Sequence, residues 1–209
     1  MKTLLTLSAV AAAALIASST LAADKPAANS ASGPPVSLDP KIKFKDGDRF
    51  LGDLSSALDI PRDSICKELG QYDCFKDAFR IVLGGTEAEN LGVNTPLEEE
   101  AMTAPIAVDR LALRACVNRV KLDMDDPKHA VLLKNAPKGK ASKGWLKSTT
   151  AVVYDRLLNR VPTASETAKM AAFYDQVAVK AGKPNPDATK DWVTLSCFAT
   201  ASSTENIFY

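Results

Sequence analysis

The chain of 209 residues lacks an excess of charge of either sign. Its 26 Lys and Arg side chains are balanced by 25 Asp and Glu side chains, so the formal net charge is +1. A dedicated nucleic-acid binder needs a clear cationic excess to displace the counterions of the phosphate backbone, and this chain has none. Because 46% of its residues are hydrophobic, the composition also argues against a disordered acidic chain.

Histidine and closely spaced cysteines are also scarce. His129 is the only histidine, so a Ser-His-Asp or Cys-His arrangement would have to use it. It lies in a polar stretch and no G-x-S-x-G motif occurs, so we interpret it as a surface residue near a helix start. The absence of C-x-x-C and C-x-x-C-H spacings argues against zinc and covalent haem. The sequence predicts no catalytic residue, metal or cofactor.

The sequence has a single long apolar run, which argues against a multi-span membrane protein. Residues 1–23 combine Lys2, an apolar stretch and small residues, a pattern typical of a secretory signal peptide. We expect cleavage after Ala22 or Ala23; the alternative is an uncleaved membrane anchor, because the run approaches the length of a spanning helix. The mature chain would then be a periplasmic or secreted bacterial protein without a stable membrane span.

Export gives the four cysteines a structural interpretation. An even number of cysteines in an oxidising compartment predicts disulfide bonds, and four cysteines allow three pairings. We favour Cys66–Cys74, which closes a short loop between two predicted helices, and Cys116–Cys197, which ties the middle of the chain to its end.

Helical patterns separated by Pro and Gly predict an all-α fold. Residues 24–45 are rich in Pro, Ala and Ser and are interpreted as a flexible linker before a helical domain at 46–209. Helices are expected at about 148–160, after a Thr163–Glu166 capping box, and at about 187–201. No stretch alternates apolar and polar residues at strand spacing, so no sheet is expected.

The clearest helix covers about residues 104–122. Pro105 fits its first turn, and the apolar spacing predicts a central position in the fold. The side chains expected to face the core are Ile106, Leu111, Leu113, Val117 and Val120.

Ser64 and Lys67 match the S-x-x-K pattern of penicillin-recognising serine enzymes. One helical turn would place the Lys67 amine beside the Ser64 hydroxyl, where a neutral lysine could act as a base. The S-D-N and K-T-G elements of that family are missing, so we interpret the pair as part of a solvated helical turn.

Asp123, Asp125 and Asp126 resemble a fragment of a calcium-binding loop. They lack the turn glycine and the distal bidentate glutamate of such a loop. A helix end followed by an Asp-Pro turn explains the same residues without a metal, and calcium is kept as a minor hypothesis.

A lysine-rich loop follows at residues 134–147. A cationic loop with an exposed aromatic side chain could contact an anionic envelope surface or an acidic partner protein. The alternative is that flexible lysines simply keep the protein soluble. The residues predicted to contact a partner are Lys138, Lys140, Lys143, Trp145 and Lys147.

The C-terminal part of the chain, about residues 150–209, resembles a known family. Arg160, Pro162, Thr163 and Glu166 follow an L-x-R-x-P-T-x-x-E pattern, and Trp192, Leu195 and the run from Ser203 to Phe208 come later in the chain. Together they resemble the helical C-terminal domain of planctomycete-type, cytochrome-associated secreted proteins. Two features depart from that family: Ser202-Ser203 replaces its Asn-Ser, and the haem-binding C-x-x-C-H is absent. The resemblance implies a helical fold and export, and it carries no catalytic residue.

These features favour an exported, non-enzymatic structural or interaction subunit of a periplasmic or cell-surface assembly, with protein partners in the cell envelope. Two alternatives remain. The resemblance implies an accessory module of an extracytoplasmic redox or hydrolytic system. A small helical cell-wall hydrolase that uses paired carboxylates is the other alternative.

Overall fold

The computed structural model describes residues 43–68, 71–87, 91–95, 101–180 and 182–208. The predicted signal peptide and residues 24–42 of the predicted linker lie outside these residues. The elements in chain order are α1 (Gly47–Leu58), β1 (Lys67–Glu68), β2 (Tyr72–Asp73), α2 (Ala104–Asp125), α3 (Lys143–Leu158), α4 (Ala164–Val177), β3 (Val179–Lys180), β4 (Lys183–Pro184), α5 (Ala188–Ala201) and α6 (Thr204–Ile207). Shorter turns lie at Arg62–Ser64, Phe75–Phe79 and Pro127–His129. The described part of the chain is mostly helical, as the sequence predicts.

Side-chain caps set several of the helix starts. The Asp46 carboxylate accepts the N–H of Arg49 at 2.8 Å and begins α1. At the start of α4, both halves of the predicted capping box are present, because Thr163 and Glu166 each accept the other's backbone N–H. Such reciprocal bonds satisfy two donors that a helix N-terminus would otherwise leave unpaired.

Two small antiparallel hairpins correct the expectation that no strand occurs. In the first, Lys67 pairs with Asp73, and the Cys66–Cys74 disulfide closes it with a Cα–Cα distance of 5.5 Å. In the second, Val179 pairs with Pro184. Each strand has two residues, which is too short to show the alternation by which strands are predicted.

The central pair of helices is α2 and α5, joined by the predicted Cys116–Cys197 disulfide. The two Cα atoms lie 5.8 Å apart, and neither cysteine is exposed. Trp192 of α5 is fully buried and donates its indole N–H to the Met170 carbonyl at 2.9 Å. The disulfide and this indole therefore fix α5 in the middle of the core.

Helix α2 turns to the core a face that the apolar spacing did not predict. Ile106, Leu113 and Val117 are exposed by 59%, 39% and 39%, whereas Leu111 and Val120 of the predicted set are buried. The face that packs in the core carries many small side chains, which let neighbouring helices approach closely. These are Ala104, Ala107, Ala112, Ala115 and Cys116.

Contacts on two sides of α2 fix this orientation. The disulfide holds α5 against one side. On another side, Asn118 donates to the Ile65 carbonyl at 2.9 Å, and Arg119 donates to the Asp59 carbonyl at 3.1 Å. Because these contacts decide which face is enclosed, Ile106, Leu113 and Val117 stay on the outside.

The first described residues meet the C-terminus. Phe44 and Phe208 pack edge to face with ring centroids 5.7 Å apart, and the Lys45 N–H donates to the Ile207 carbonyl at 2.8 Å. Phe44 and Lys45, the last residues of the predicted linker, thus already contact the folded domain. No helix in the described residues combines the length and the apolar character needed to span a bilayer.

Candidate interaction surfaces

Residues 128–147, here called the lysine segment, form a surface of one charge. From residue 127 to residue 154 the chain has no Asp or Glu. Six lysines lie in this stretch, and all are exposed. Within the described residues, the ion pairs of lysine involve Lys45, Lys76 and Lys190 and none of these six. The six are Lys128, Lys134, Lys138, Lys140, Lys143 and Lys147.

Trp145 is not the exposed loop side chain that the sequence interpretation assumed. Helix α3 begins at Lys143, so Trp145 lies in its first turn. There the backbone N–H of Trp145 donates to the Ser142 hydroxyl. The indole is half-buried, donates to the Lys134 carbonyl at 3.1 Å and lies 5.8 Å from the Trp192 ring. Trp145 therefore anchors the lysine segment to the core rather than extending into solvent.

A buried carboxylate holds the start of the same segment. Asp123 accepts the backbone N–H groups of Val131, Leu132 and Leu133 at 2.8, 2.7 and 2.8 Å. Its side chain is fully buried and pairs with Arg119 at 2.8 Å. A buried carboxylate is stable only when such partners replace its hydration.

These contacts leave no support for the minor calcium hypothesis. Both Asp123 oxygens already accept hydrogen bonds, while Asp125 is exposed and Asp126 accepts from His129 at 2.7 Å. The hydrogen bond from His129 lowers the pKa of Asp126. Among the described residues, no group of three carboxylate, histidine or cysteine side chains could hold a metal ion.

The far end of the lysine segment is held as well. The Ala141 N–H donates to the Tyr174 hydroxyl at 2.9 Å, and both residues are buried. Asp123, Trp145 and Tyr174 thus fix the backbone at three places. Since the lysine side chains point outward from an anchored backbone, their charges are presented in a defined arrangement.

The S-x-x-K residues do not share one helical turn. Ser64 ends a short 3-10 turn, whereas Lys67 lies on β1. The Ser64 hydroxyl contacts the Asp63 carboxylate at 3.4 Å. His129 is exposed, as the sequence predicts, but it ends the short turn Pro127–His129 after α2 and does not lie near a helix start.

The charged residues of the family-like pattern come together in one cluster. The Arg160 guanidinium binds both Glu166 oxygens at 2.7 and 3.0 Å and a Glu205 oxygen at 2.7 Å. It also lies 5.1 Å above the centre of the Tyr154 ring. The cluster ties α6 to the junction of α3 and α4, so these residues act together in holding the C-terminal helices.

The two glutamates of this cluster are unsuited to acid catalysis. Hydrogen bonds from Arg160 and from the Thr163 backbone lower the pKa of Glu166 to about 2, and Arg160 also lowers the pKa of Glu205. A paired-carboxylate glycosidase needs one carboxyl that stays protonated near neutral pH. Glu166 and Glu205 are both held in the ionised state instead.

Comparison with protein-family models, curated proteins and solved structures found no match to this chain. The surfaces described here therefore carry the functional argument by their own geometry.

An apolar groove that the sequence interpretation missed lies between α2, the β3–β4 hairpin and α5. Its volume is about 690 Å³. Apolar side chains of α2, of the end of α4, of the hairpin and of α5 line the groove, and charged side chains border it. The apolar ones are Val117, Val120, Met124, Val177, Val179 and Leu195.

The groove continues along α2 as an exposed apolar line, here called the outer stripe. It consists of Ile106, Leu113, Val117 and Met124, whose spacing places them on one side of the helix. Eighteen residues separate its ends, which corresponds to about 27 Å. The spacing was visible in the sequence, but it was assigned to the core because a core face and a binding face share the same period.

Proposed function

We propose that the chain is an exported, non-enzymatic interaction subunit of a periplasmic or cell-surface assembly, and that its lysine segment contacts an acidic partner. The observation that carries this proposal is a run of six exposed lysines without an acidic neighbour in sequence or an ion pair in the described structure. Unneutralised charge on an anchored backbone favours association with a surface of opposite charge.

The predicted export signal supports the choice of compartment. The N-terminal pattern of residues 1–23 is that of a cleaved signal, and the two disulfides are bonds that persist in oxidising compartments. Intact mass of the chain recovered outside the cytoplasm tests this step. A mass that lacks residues up to Ala22 or Ala23 is expected, and a species that retains Met1 would contradict cleavage.

The assembly itself is tested by the native mass of the chain in envelope extracts. We expect a complex that is larger than a monomer and that dissociates as the salt concentration rises, because exposed charges are screened. Replacing Lys138, Lys140, Lys143 and Lys147 by Gln should shift the chain to monomer mass.

A matched variant controls for the loss of four positive charges. It replaces the exposed lysines 43, 67, 76 and 169 by Gln and should leave the complex intact. A wild-type chain that runs only as a monomer without a co-purifying protein, or equal effects of the two variants, would overturn the proposal.

The alternative of an accessory module in a redox or hydrolytic system is supported by the family-like cluster. Arg160 binds both Glu166, six residues later, and Glu205, 45 residues later, so the pattern describes one structural unit. A cytochrome that co-purifies with the chain would favour this role over a purely structural one.

A further inference from the structure

The apolar groove and the outer stripe differ from an ordinary protein surface in their continuity. Four large apolar side chains of the outer stripe are exposed by 39–59%, and Val179 and Leu195 at the groove are exposed by 56% and 38%. Scattered apolar residues need no explanation, but a contiguous exposed patch marks a site of interaction. A binding partner that covers this surface would need an apolar side about 27 Å long.

The shape of the surface favours a helix as the occupant. The groove at the Val117–Met124 end, bounded by α2, the hairpin and α5, is a cleft, whereas an apolar face that binds a bilayer surface lies in the plane of that surface. Helix-in-groove recognition places side chains at three- and four-residue spacing into such a cleft. The straight course of the outer stripe along α2 fits a second helix lying beside it.

Charge next to the stripe indicates the character of that helix. Arg114 and Lys121 lie on one flank of the outer stripe, are exposed, and form no ion pair with a described residue. At the hairpin end the charges are already engaged: Lys190 pairs with Asp187 at 3.2 Å, and Asp191 accepts from Asn185 at 3.1 Å.

The lysine segment adds to this positive field. Lys138 lines a neighbouring cleft together with Met124 and Lys190, so the segment borders the groove. Asp109 and Asp125 are the exposed acidic side chains of α2. Arg114, Lys121 and the exposed lysines of the lysine segment outnumber them, so the occupant should be acidic beside its apolar face.

A second copy of this chain is disfavoured by the same charges. Two α2 helices that pack antiparallel along the outer stripe bring the same flank of each copy together. Arg114 of one copy would then lie beside Lys121 of the other, and such like-charge contacts are destabilising.

We propose that the groove and outer stripe bind an amphipathic helix of the acidic partner, with its apolar face on α2 and acidic residues beside Arg114 and Lys121. The inference rests on the proposed function, because it assigns a second contact to the same partner. The lysine segment attracts this partner, and the groove holds its helix.

The probe is a synthetic amphipathic helix of about 18 residues, matched to the length of the stripe. One fluorescent version carries Glu on both flanks of a Leu face, and another carries Lys. Anisotropy with the purified chain should show the Glu peptide binding at least about tenfold more tightly than the Lys peptide. The double variant Val117→Gln with Met124→Gln should weaken binding of the Glu peptide about tenfold or more.

Two further variants separate the contributions of charge and apolar contact. Arg114→Glu with Lys121→Glu should invert the preference, so that the Lys peptide binds more tightly. Val161→Gln with Leu91→Gln removes exposed apolar side chains outside the groove, 79% and 67% exposed, and should leave binding within about twofold.

Each contrary result overturns the inference. Equal affinity for the two peptides removes the charge argument. Binding to phosphatidylglycerol vesicles without binding to either peptide assigns the surface to lipid. A dimer that the Val117→Gln and Met124→Gln variant dissociates assigns it to a second copy.

The same variants distinguish this inference from the proposed function. If the envelope complex depends on the lysine segment but not on Val117 and Met124, the groove inference fails while the interaction subunit stands. If the peptide binds in the groove but the complex forms equally well when the lysines of the lysine segment are replaced by Gln, the proposed function fails.

Discussion

The two faces of α2 differ in how tightly neighbouring elements enclose them. The inner face combines several alanines with Val108, Leu111 and Val120, and it is enclosed by the disulfide and by the contacts with α1 and α5. The outer face carries Ile106, Leu113, Val117 and Met124, which remain 39–59% exposed. Burial on this helix follows from how closely its neighbours approach, and the displaced apolar side chains become available for binding.

Removing the central disulfide should have the largest effect on this arrangement. The bridge Cys116–Cys197 spans 81 residues, so chain entropy predicts a loss of about 4–5 kcal/mol in the Cys116→Ala, Cys197→Ala variant. The bridge Cys66–Cys74 spans 8 residues and should cost about 2–3 kcal/mol. Urea unfolding compares the two, and equal losses would contradict a special role for the central bridge.

Breaking the buried Arg119–Asp123 ion pair should cause the second-largest loss of stability. Asp123→Ala leaves the Arg119 charge and three backbone N–H groups without their partner, and we expect a loss of about 3–5 kcal/mol. Asp123→Asn keeps an acceptor oxygen and should cost less. The Tm of each variant, measured by calorimetry, gives its loss of stability. A small decrease in Tm for Asp123→Ala would show that water replaces the carboxylate.

Enlarging an inner-face alanine should cost about 1–3 kcal/mol. Ala115 is fully buried, so Ala115→Leu overpacks the contact around α2. Chemical denaturation gives the loss of stability. If Ala115→Leu is neutral, the inner face is looser than its lack of exposure indicates.

Substitution in the exposed cluster around Arg160 should lower stability by less than the core substitutions, and the loss should depend on pH. Because the pKa of Glu166 is lowered to about 2 in the folded chain, its contribution is complete above its ordinary value of 4.5 and is lost as pH falls towards 2. Glu166→Gln should therefore lower Tm at neutral pH and flatten the decline between pH 4.5 and pH 2. A parallel decline in the wild type and the variant would assign the acid sensitivity to other carboxylates.

Polar substitution on the outer face should have the smallest effect on stability. Leu113→Gln and Val117→Gln remove partly exposed side chains, and each should change the free energy of unfolding by less than about 0.5 kcal/mol. Losses comparable with that of Ala115→Leu would show that the outer stripe supports the fold rather than a partner.

Much of the helical architecture was predictable because its determinants are local. Thr163 and Glu166 marked the start of α4 by their own chemistry. The even number of cysteines in a chain with a predicted export signal, and the short loop between Cys66 and Cys74, led to the prediction of both disulfide pairs. The two hairpins were not predictable, since two-residue strands leave no pattern. The first turn of α3 was also missed, because Ser142 and Trp145 stand in a run of lysines that reads as a loop.

The candidate surfaces also have features that the sequence predicts and features that depend on tertiary contacts. The charge of the lysine segment is a property of the sequence, because no acidic residue occurs between residues 127 and 154. That its backbone is held by Asp123, Trp145 and Tyr174 depends on residues from α2, α3 and α4. Sequence spacing contains no information on which elements meet at that point.

By itself, the sequence determined a charge-balanced, mostly helical chain with two disulfides and a lysine-rich segment, and it predicted export. The tertiary structure decided which face of α2 is buried, where Trp145 points, and that Arg160 joins Glu166 and Glu205. The reason is physical: a helical apolar stripe has the same period whether it packs inward or outward. Its direction is set by the neighbours that the disulfide and the buried Arg119–Asp123 pair hold against the opposite face.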